Sequence, residues 1–93
     1  MVIERNEFYV GEQRYLDFEV KTARKEPFSI VDAAYTVTNN KNETIDSGST
    51  EIDNINNIVR FLFTAVEEGL YTVRLNVTVP PEVIKYKGLI LVK

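Results

Sequence analysis

The chain has 93 residues, of which 44% are hydrophobic and 27% charged, the composition of one small folded domain rather than of a disordered segment. It contains no cysteine and no histidine, which removes disulfides, thiolate metal sites and imidazole-based catalysis or metal binding. A net charge of −3 and the lack of a long apolar run predict neither a nucleic acid nor a membrane as partner, and no signal peptide or transmembrane segment.

The N-terminal half shows the alternation of apolar and polar residues that is typical of half-buried β-strands. Residues 1–10 form a weakly patterned first strand, 14–22 a clearer second one, and 28–38 a third. A turn rich in asparagine follows. The next stretch predicts either two short strands, at 44–47 and 49–52, or one bent strand.

The C-terminal half contains the strongest strand signals. Residues 58–65 and 70–79 alternate cleanly, and 83–92 form the last strand after a turn at Pro80-Pro81, which cannot pair in a ladder. Seven or eight short strands with frequent turns, and no helical periodicity, predict an all-β sandwich or barrel.

The predicted core consists of the apolar residues that share the inward face of these strands. They are Leu16, Phe18, Val20, Ala33, Tyr35, Val37, Val59, Phe61, Phe63, Tyr71, Val73, Leu75 and Val77.

A second pattern, at the start of the 70–79 strand, identifies the type of sandwich. Glu67 is followed by Gly69, Tyr71 and the apolar Val73, which is the spacing of a tyrosine corner. In immunoglobulin-like sandwiches a tyrosine near the start of strand F bonds through its hydroxyl to the backbone just upstream. The sequence therefore predicts an immunoglobulin-like antiparallel β-sandwich of seven to eight strands, with residues 1–93 as its single domain.

The residue types needed for catalysis are missing or badly placed. Ser47 and Ser49 lack the G-x-S-x-G frame of a nucleophile turn, and the four glycines stand too far apart to cradle a phosphate. Glu67 and Glu68 are adjacent, so we expect them to be solvated in a turn. We predict no enzyme, no catalytic residue and no cofactor.

One loop is rich in oxygen ligands of the kind that Ca²⁺ prefers. They come from Glu51, Asp53, Asn54, Asn56 and Asn57. The loop lacks the spacing and the glycine of an EF-hand, and turn formation alone explains its asparagines. We therefore predict a turn here and no metal site.

Two further groups of residues have a functional and a structural interpretation. Tyr9, Tyr15 and Tyr86 would line a carbohydrate surface if they were exposed, but strand packing is the favoured explanation. Lys21, Arg24 and Lys25 form a local basic cluster, which we interpret as part of a solvated loop.

Several segments together resemble small immunoglobulin-like proteins that are encoded among the structural genes of tailed bacteriophages and prophages. The segments are FYVGE (8–12), FSIVDAAYTV (28–37), IDSGS (45–49), EEGLYTVRLNVTV (67–79) and GLILV (88–92). The resemblance implies a structural or adaptor protein of the virion, with other protein subunits as partners and a virion or cytoplasmic location. The alternative is a module that binds a carbohydrate or a cell surface within a larger assembly.

The C-terminal strand is the predicted partner surface. Residues 88–92 abandon the alternation, so that Leu89 and Leu91 fall on the same side as Lys85 and Lys87. A strand that is apolar on both sides is usually covered on both sides. Either the N-terminal strand or a loop provides this cover, or a neighbouring subunit does, by side-chain packing or by strand addition at a sheet edge. In the second case the two lysines protect the near part of the edge and leave the far part for self-association.

Overall fold

The structure is a computed structural model that describes residues 3–22 and 27–93, with the backbone alone for residues 3–5. The described residues form eight strands and no helix, so none of them forms a helical membrane span. The strands are β1 (Ile3–Phe8), β2 (Gln13–Glu19), β3 (Asp32–Thr38), β4 (Thr44–Ser49), β5 (Glu51–Asp53), β6 (Ile58–Thr64), β7 (Gly69–Val79) and β8 (Glu82–Val92).

The strands form two sheets that pack face to face. One has five strands in the order β1-β8-β7-β3-β4, and the other has three in the order β2-β6-β5. All neighbours are antiparallel except β1, which runs parallel to β8. The predicted all-β sandwich with seven to eight strands is confirmed.

The stretch for which the sequence left two alternatives contains two strands, one in each sheet. β4 pairs with β3, whereas β5 pairs with β6 on the other side of the core. Thr50 lies between them, and its N–H still donates to the carbonyl of Ala33 at 3.0 Å. The chain therefore changes sheets immediately after Thr50.

The third strand is shorter than predicted because an asparagine holds its leading segment. The side chain of Asn54 accepts a hydrogen bond from the Ile30 N–H at 2.8 Å and donates one to the Ile30 carbonyl at 3.1 Å. Ile30 is buried, and β3 begins only at Asp32. Val31, between the two, is 60% exposed.

The core lies between the two sheets and contains every predicted residue except Tyr35, which is only half-buried. Phe61 and Phe63 are at its centre: Phe61 stacks on Tyr35 at 3.9 Å between ring centroids, and Phe63 meets Phe8 edge-on at 5.3 Å. Phe8 is buried although its strand is weakly patterned. The Arg14 guanidinium covers its ring at 4.1 Å.

The tyrosine corner is present. The Tyr71 hydroxyl donates to the backbone carbonyl of Glu67 at 2.9 Å, and the ring is buried. Because the acceptor is a main-chain oxygen, this hydrogen bond does not require a particular side chain at position 67. Gly69, between the two, has a φ of +148°, a conformation that favours glycine, and a Cβ there would lie 3.9 Å from the Tyr71 ring.

Tyr71, which is buried, and Tyr35, which is half-buried, predict how stability responds to high pH. Burial raises the pKa of both Tyr35 and Tyr71 above 10.0, and the nearby carboxylates of Asp46 and Glu67, respectively, raise it further. The unfolded chain therefore ionises first, so this contribution is complete below pH 10 and is lost as the pH rises through the folded-state pKa values. We expect the free energy of unfolding, measured by urea titration, to fall above pH 10, and to fall less in Tyr71→Phe. Equal slopes in both proteins would contradict this.

Candidate functional site

The predicted partner surface lies on a strand that is internal over its last part. Residues Ile3–Phe8 of β1 pair with Lys87–Val92 of β8, while β7 pairs with its other side. The far part of β8 is therefore no sheet edge, and strand addition there was a wrong expectation. Residues 82–86 pair with β7 on one side, and no described strand pairs with them on the other. The open part of this edge is therefore the near part, which contains Lys85.

The outward side of this strand is nevertheless apolar. Ile90 and Val92 are buried in the core as predicted, while Leu89 and Leu91 point the other way and are half-buried. Leu91 lies directly opposite Leu70 of β7, which is 46% exposed. Leu70, Leu89 and Leu91 thus form one apolar cluster on the outer face of the five-stranded sheet, here called the leucine patch.

Charged side chains border the leucine patch on both ends. Lys85 is exposed and Lys87 half-buried at one end of the strand, next to Arg74, whose guanidinium donates to the Thr38 hydroxyl at 3.2 Å. At the other end Lys93 forms an ion pair with Glu7 at 3.0 Å. An apolar centre with a charged rim is the arrangement typical of protein–protein contacts.

A groove opens at the end of the sandwich that carries the tyrosine corner. It has a volume of about 630 Å³ and lies between the β3–β4 hairpin, residues 39–46, and residues 63–71. Ile45 and Val66 line it with 47% and 72% of their surfaces exposed, and Leu70 joins it to the leucine patch. We call this depression the corner groove.

The polar lining of the corner groove is mostly acidic. Glu43, Asp46 and Glu67 contribute carboxylates, and Lys41 is the one cation among the described residues that line it. Asp46 accepts a hydrogen bond from the Tyr35 hydroxyl at 3.2 Å, and Glu43 accepts one from the Asn39 side chain at 3.1 Å. These bonds fix two of the carboxylates at the groove wall.

The oxygen-rich loop is a turn, as predicted. Asp53 accepts hydrogen bonds from the backbone of Ile55 and Asn56 and from the Asn56 side chain, and these bonds lower its pKa. The Asn54 side chain forms its two hydrogen bonds with the backbone of Ile30. No group of three or more acidic residues that would hold a metal ion occurs among the described residues.

The three tyrosines of the hypothetical carbohydrate surface are not equivalent. The Tyr86 hydroxyl accepts from the Lys21 N–H at 2.9 Å and donates to the Lys21 carbonyl at 3.2 Å, so this side chain ties β8 to the end of the β2 segment. Tyr9 and Tyr15 are exposed. In the basic cluster, Lys21 is exposed and pairs with Glu19, whereas Arg24 and Lys25 lie outside the described residues.

The corner groove was missed because its residues come from two distant segments. Ile45 lies at the irregularity where β4 shifts register against β3, and Val66 lies in the connection between β6 and β7. One signal was available in the sequence. Val66 and Leu70 flank the acidic pair 67–68, and two large apolar residues around a solvated turn need an explanation.

The two sheets, their strand order and the tyrosine corner define an immunoglobulin-like β-sandwich. No family model matches the chain, and no curated protein matches it. Among solved structures, CopC from Methylosinus trichosporium OB3b is similar with a TM-score of 0.72 and 8% identity, over 97% of this chain and 84% of that one.

Two other solved structures share the fold. The extracellular domain of the voltage-gated sodium channel β4 subunit, which forms parallel homodimers and has a role in cell–cell adhesion, has a TM-score of 0.50 and 10% identity, over 97% of this chain and 90% of that one. A "putative glycoside hydrolase" from Bacteroides vulgatus ATCC 8482 has a TM-score of 0.57 and 17% identity, over 95% of this chain but 16% of that one. At these identities the similarity establishes the fold alone.

Proposed function

We propose that the chain is a non-enzymatic protein-interaction module that self-associates through the leucine patch. The observation that carries the proposal is the direct opposition of Leu70 and Leu91, with Leu89 beside them, on the outward side of the sheet. The opposite side of the same strands already forms the core. A second molecule on the outward side would bury these half-buried leucines further.

The surroundings of the patch support a second copy as the partner. A stable interface buries about 800 Å² on each partner, so the contact extends from the leucines over their charged border. That border has the cations Lys85, Lys87 and Arg74 at one end and the Lys93–Glu7 ion pair at the other. Two copies in opposite orientations keep the cationic ends apart and place each beside the partner's ion pair, and the homodimers of the sodium channel β4 domain are a precedent for self-association on this fold.

The proposal predicts that Leu89→Lys and Leu91→Lys together abolish an oligomer without unfolding the domain. Each substitution places a charge at the centre of the contact, where it is desolvated without a partner. Light scattering measures the mass in solution, and thermal melting shows whether the fold is retained. We expect an oligomeric wild type and a monomeric double variant with a similar melting temperature.

The matched control is Val31→Lys, which adds a lysine at an exposed position outside the patch and should leave the oligomer intact. A wild type that stays monomeric at every accessible concentration contradicts the proposal. If the double variant then also unfolds, the leucines belong to the packing of the domain itself.

For the biological setting we propose a structural or adaptor role in a phage or prophage virion, with a virion or cytoplasmic location. The support is the resemblance of the segments 28–37, 45–49 and 67–79 to such proteins. The gene should then lie among portal, capsid or tail genes, and the protein should be recovered from purified virions. A location among unrelated genes argues against this role.

The second candidate is a carbohydrate- or cell-surface-binding module of a larger assembly. The observation that favours it is the exposure of Tyr9 and Tyr15, since aromatic rings on a surface are suited to stacking against sugars. A glycan array tests it. Binding that is lost in Tyr15→Ala but retained in the leucine-patch variant would favour this function over the first.

A further inference from the structure

The three-stranded sheet has an open edge beside the corner groove. β5 is only three residues long, and it pairs with Ile58, Val59 and Arg60 at the start of β6. β6 continues to Thr64, and no described strand lies beside residues 61–64 on the side opposite β2. Four residues of strand, about 13 Å in length, therefore form a gap in the sheet.

The hydrogen bonds of Ala65, the residue just after β6, show which backbone groups of the strand face this gap. The Ala65 N–H donates to the Glu12 carbonyl and its carbonyl accepts from the Gly11 N–H, both at 2.8 Å, so both groups point toward the β2 side. Along an antiparallel strand these groups alternate between the two sides. Leu62 and Thr64 therefore each direct one N–H and one C=O into the gap.

This edge lacks the charges and prolines that usually prevent strand pairing. Proteins protect open edges with charged residues, prolines or very short strands. The other short edge, β5, carries Glu51 and Asp53, and the outer edge of β4 carries Asp46. Residues 61–64, with the sequence FLFT, contain no charge and no proline.

The corner groove supplies side-chain contacts next to the same edge. Phe63 and Thr64 line it from β6, and the exposed apolar side chains of Ile45, Val66 and Leu70 form its other walls. Since three carboxylates and one lysine line it, a cationic ligand is favoured over an anionic one. An extended chain placed here would satisfy the backbone groups and cover the apolar surface together.

We propose that the corner groove accepts an extended segment of another protein, which pairs as a strand with Leu62 and Thr64 of β6. Alternate residues of such a segment point into the groove and away from it. The groove-facing residues are apolar and contact Val66 and Ile45, while the long side chains of the intervening basic residues reach back over the rim to the exposed carboxylates of Glu43 and Glu67. The surface shares Leu70 with the leucine patch but excludes Leu89 and Leu91, so strand pairing with Leu62 and Thr64 does not require self-association through the patch.

The probe is the blocked peptide acetyl-Lys-Val-Lys-Val-Lys-Val-amide, added at up to about 1 mM to the full chain. Hydrogen exchange of single backbone amides is measured by NMR with and without peptide. We expect exchange of the Leu62 and Thr64 amides to slow by about tenfold as the peptide saturates, because both N–H groups become hydrogen-bonded. The same peptide methylated on the alternate backbone nitrogens that would face β6 cannot donate to the Leu62 and Thr64 carbonyls, and its methyl groups block close pairing, so it should give no protection.

Variants assign the binding to the groove. Val66→Lys places a cation among the groove's apolar contacts. It should raise the Kd of the peptide about tenfold, which is about 1.4 kcal/mol of binding free energy. Val83→Lys is the matched control, since Val83 is 62% exposed but lies beside Thr78 at the opposite end of β7. The acidic peptide, with glutamate in place of each lysine, should bind more weakly than the basic one.

Unchanged exchange of Leu62 and Thr64 at saturating peptide, or the lack of any binding up to about 1 mM, overturns the proposal. Equal weakening by Val66→Lys and Val83→Lys also overturns it, because the peptide then senses only net charge. Protection of the two amides that appears without peptide and grows with protein concentration assigns the edge to a second copy of this chain instead. That result likewise contradicts an extended basic segment as the occupant.

Discussion

Replacing Phe63 by alanine is expected to be among the most destabilising single changes in this domain, at roughly 3–5 kcal/mol. The ring is 2% exposed, and it contacts Phe8 edge-on at 5.3 Å and Tyr71 at 6.1 Å between centroids. Its removal leaves a cavity between β6, β1 and β7, which the two sheets could fill only by moving closer together at the expense of their other contacts. Phe61→Ala should cost a similar amount, because Phe61 stacks between Phe18 and Tyr35.

The effect is large relative to the whole stability of such a domain, which is about 5–15 kcal/mol. Urea unfolding measures it, and each kcal/mol lowers the melting temperature by about 4–8 °C at this size. Leu62→Ala is the matched control: Leu62 lies between the two phenylalanines on the same strand but is 41% exposed. We expect its cost to stay within about 1 kcal/mol. Similar losses of stability in Leu62→Ala and Phe63→Ala would contradict the arrangement in which Phe63 faces the core and Leu62 faces outward.

Tyr71→Phe is expected to cost roughly 1–3 kcal/mol through the loss of a single oxygen atom. The hydroxyl donates to the Glu67 carbonyl at 2.9 Å, and the buried ring holds it there. Phenylalanine keeps the packing of the ring but leaves the Glu67 carbonyl without this donor. The turn between β6 and β7 therefore loses its hydrogen bond to the Tyr71 side chain. The measurement is the melting temperature together with the urea midpoint.

Glu67→Ala removes the carboxylate of Glu67 but keeps its backbone carbonyl, which accepts the hydrogen bond from the Tyr71 hydroxyl. The backbone carbonyl remains after this change, so the hydrogen bond persists and the cost should be within about 0.5 kcal/mol. A melting temperature that is unchanged in Tyr71→Phe would show that the corner contributes no stability. A large loss in Glu67→Ala would show that the carboxylate, rather than the main chain, is what Tyr71 needs.

The fold was predictable because period-two alternation records which side of each strand is buried. Phe61, Phe63, Val73 and Leu75 were assigned to the core from spacing alone, and all are buried. The tyrosine corner was also predictable, since its donor and acceptor are four residues apart and form within one turn. Such local geometry depends little on the rest of the chain.

The partner surface was predictable only in part. Alternation correctly placed Leu89 and Leu91 on the outward side of β8, and Ile90 and Val92 on the inward side. It did not reveal that β1 pairs with the far part of that strand, because parallel pairing joins residues more than 80 positions apart without a local signal.

The sequence by itself determined which residues face the core, where the turns fall and which chemistry is absent. Only the tertiary structure decided which backbone edges stay open and which exposed side chains meet. Ile45 and Val66 line the same groove because the start of β4 and the β6–β7 connection lie at the same end of the sandwich. The gap beside Leu62 and Thr64 exists because β5 stops after three residues. The groove and the gap both result from the order and the lengths of the strands in the folded sheets. The residue pattern along a single strand does not record which strands become its neighbours or where those neighbours stop.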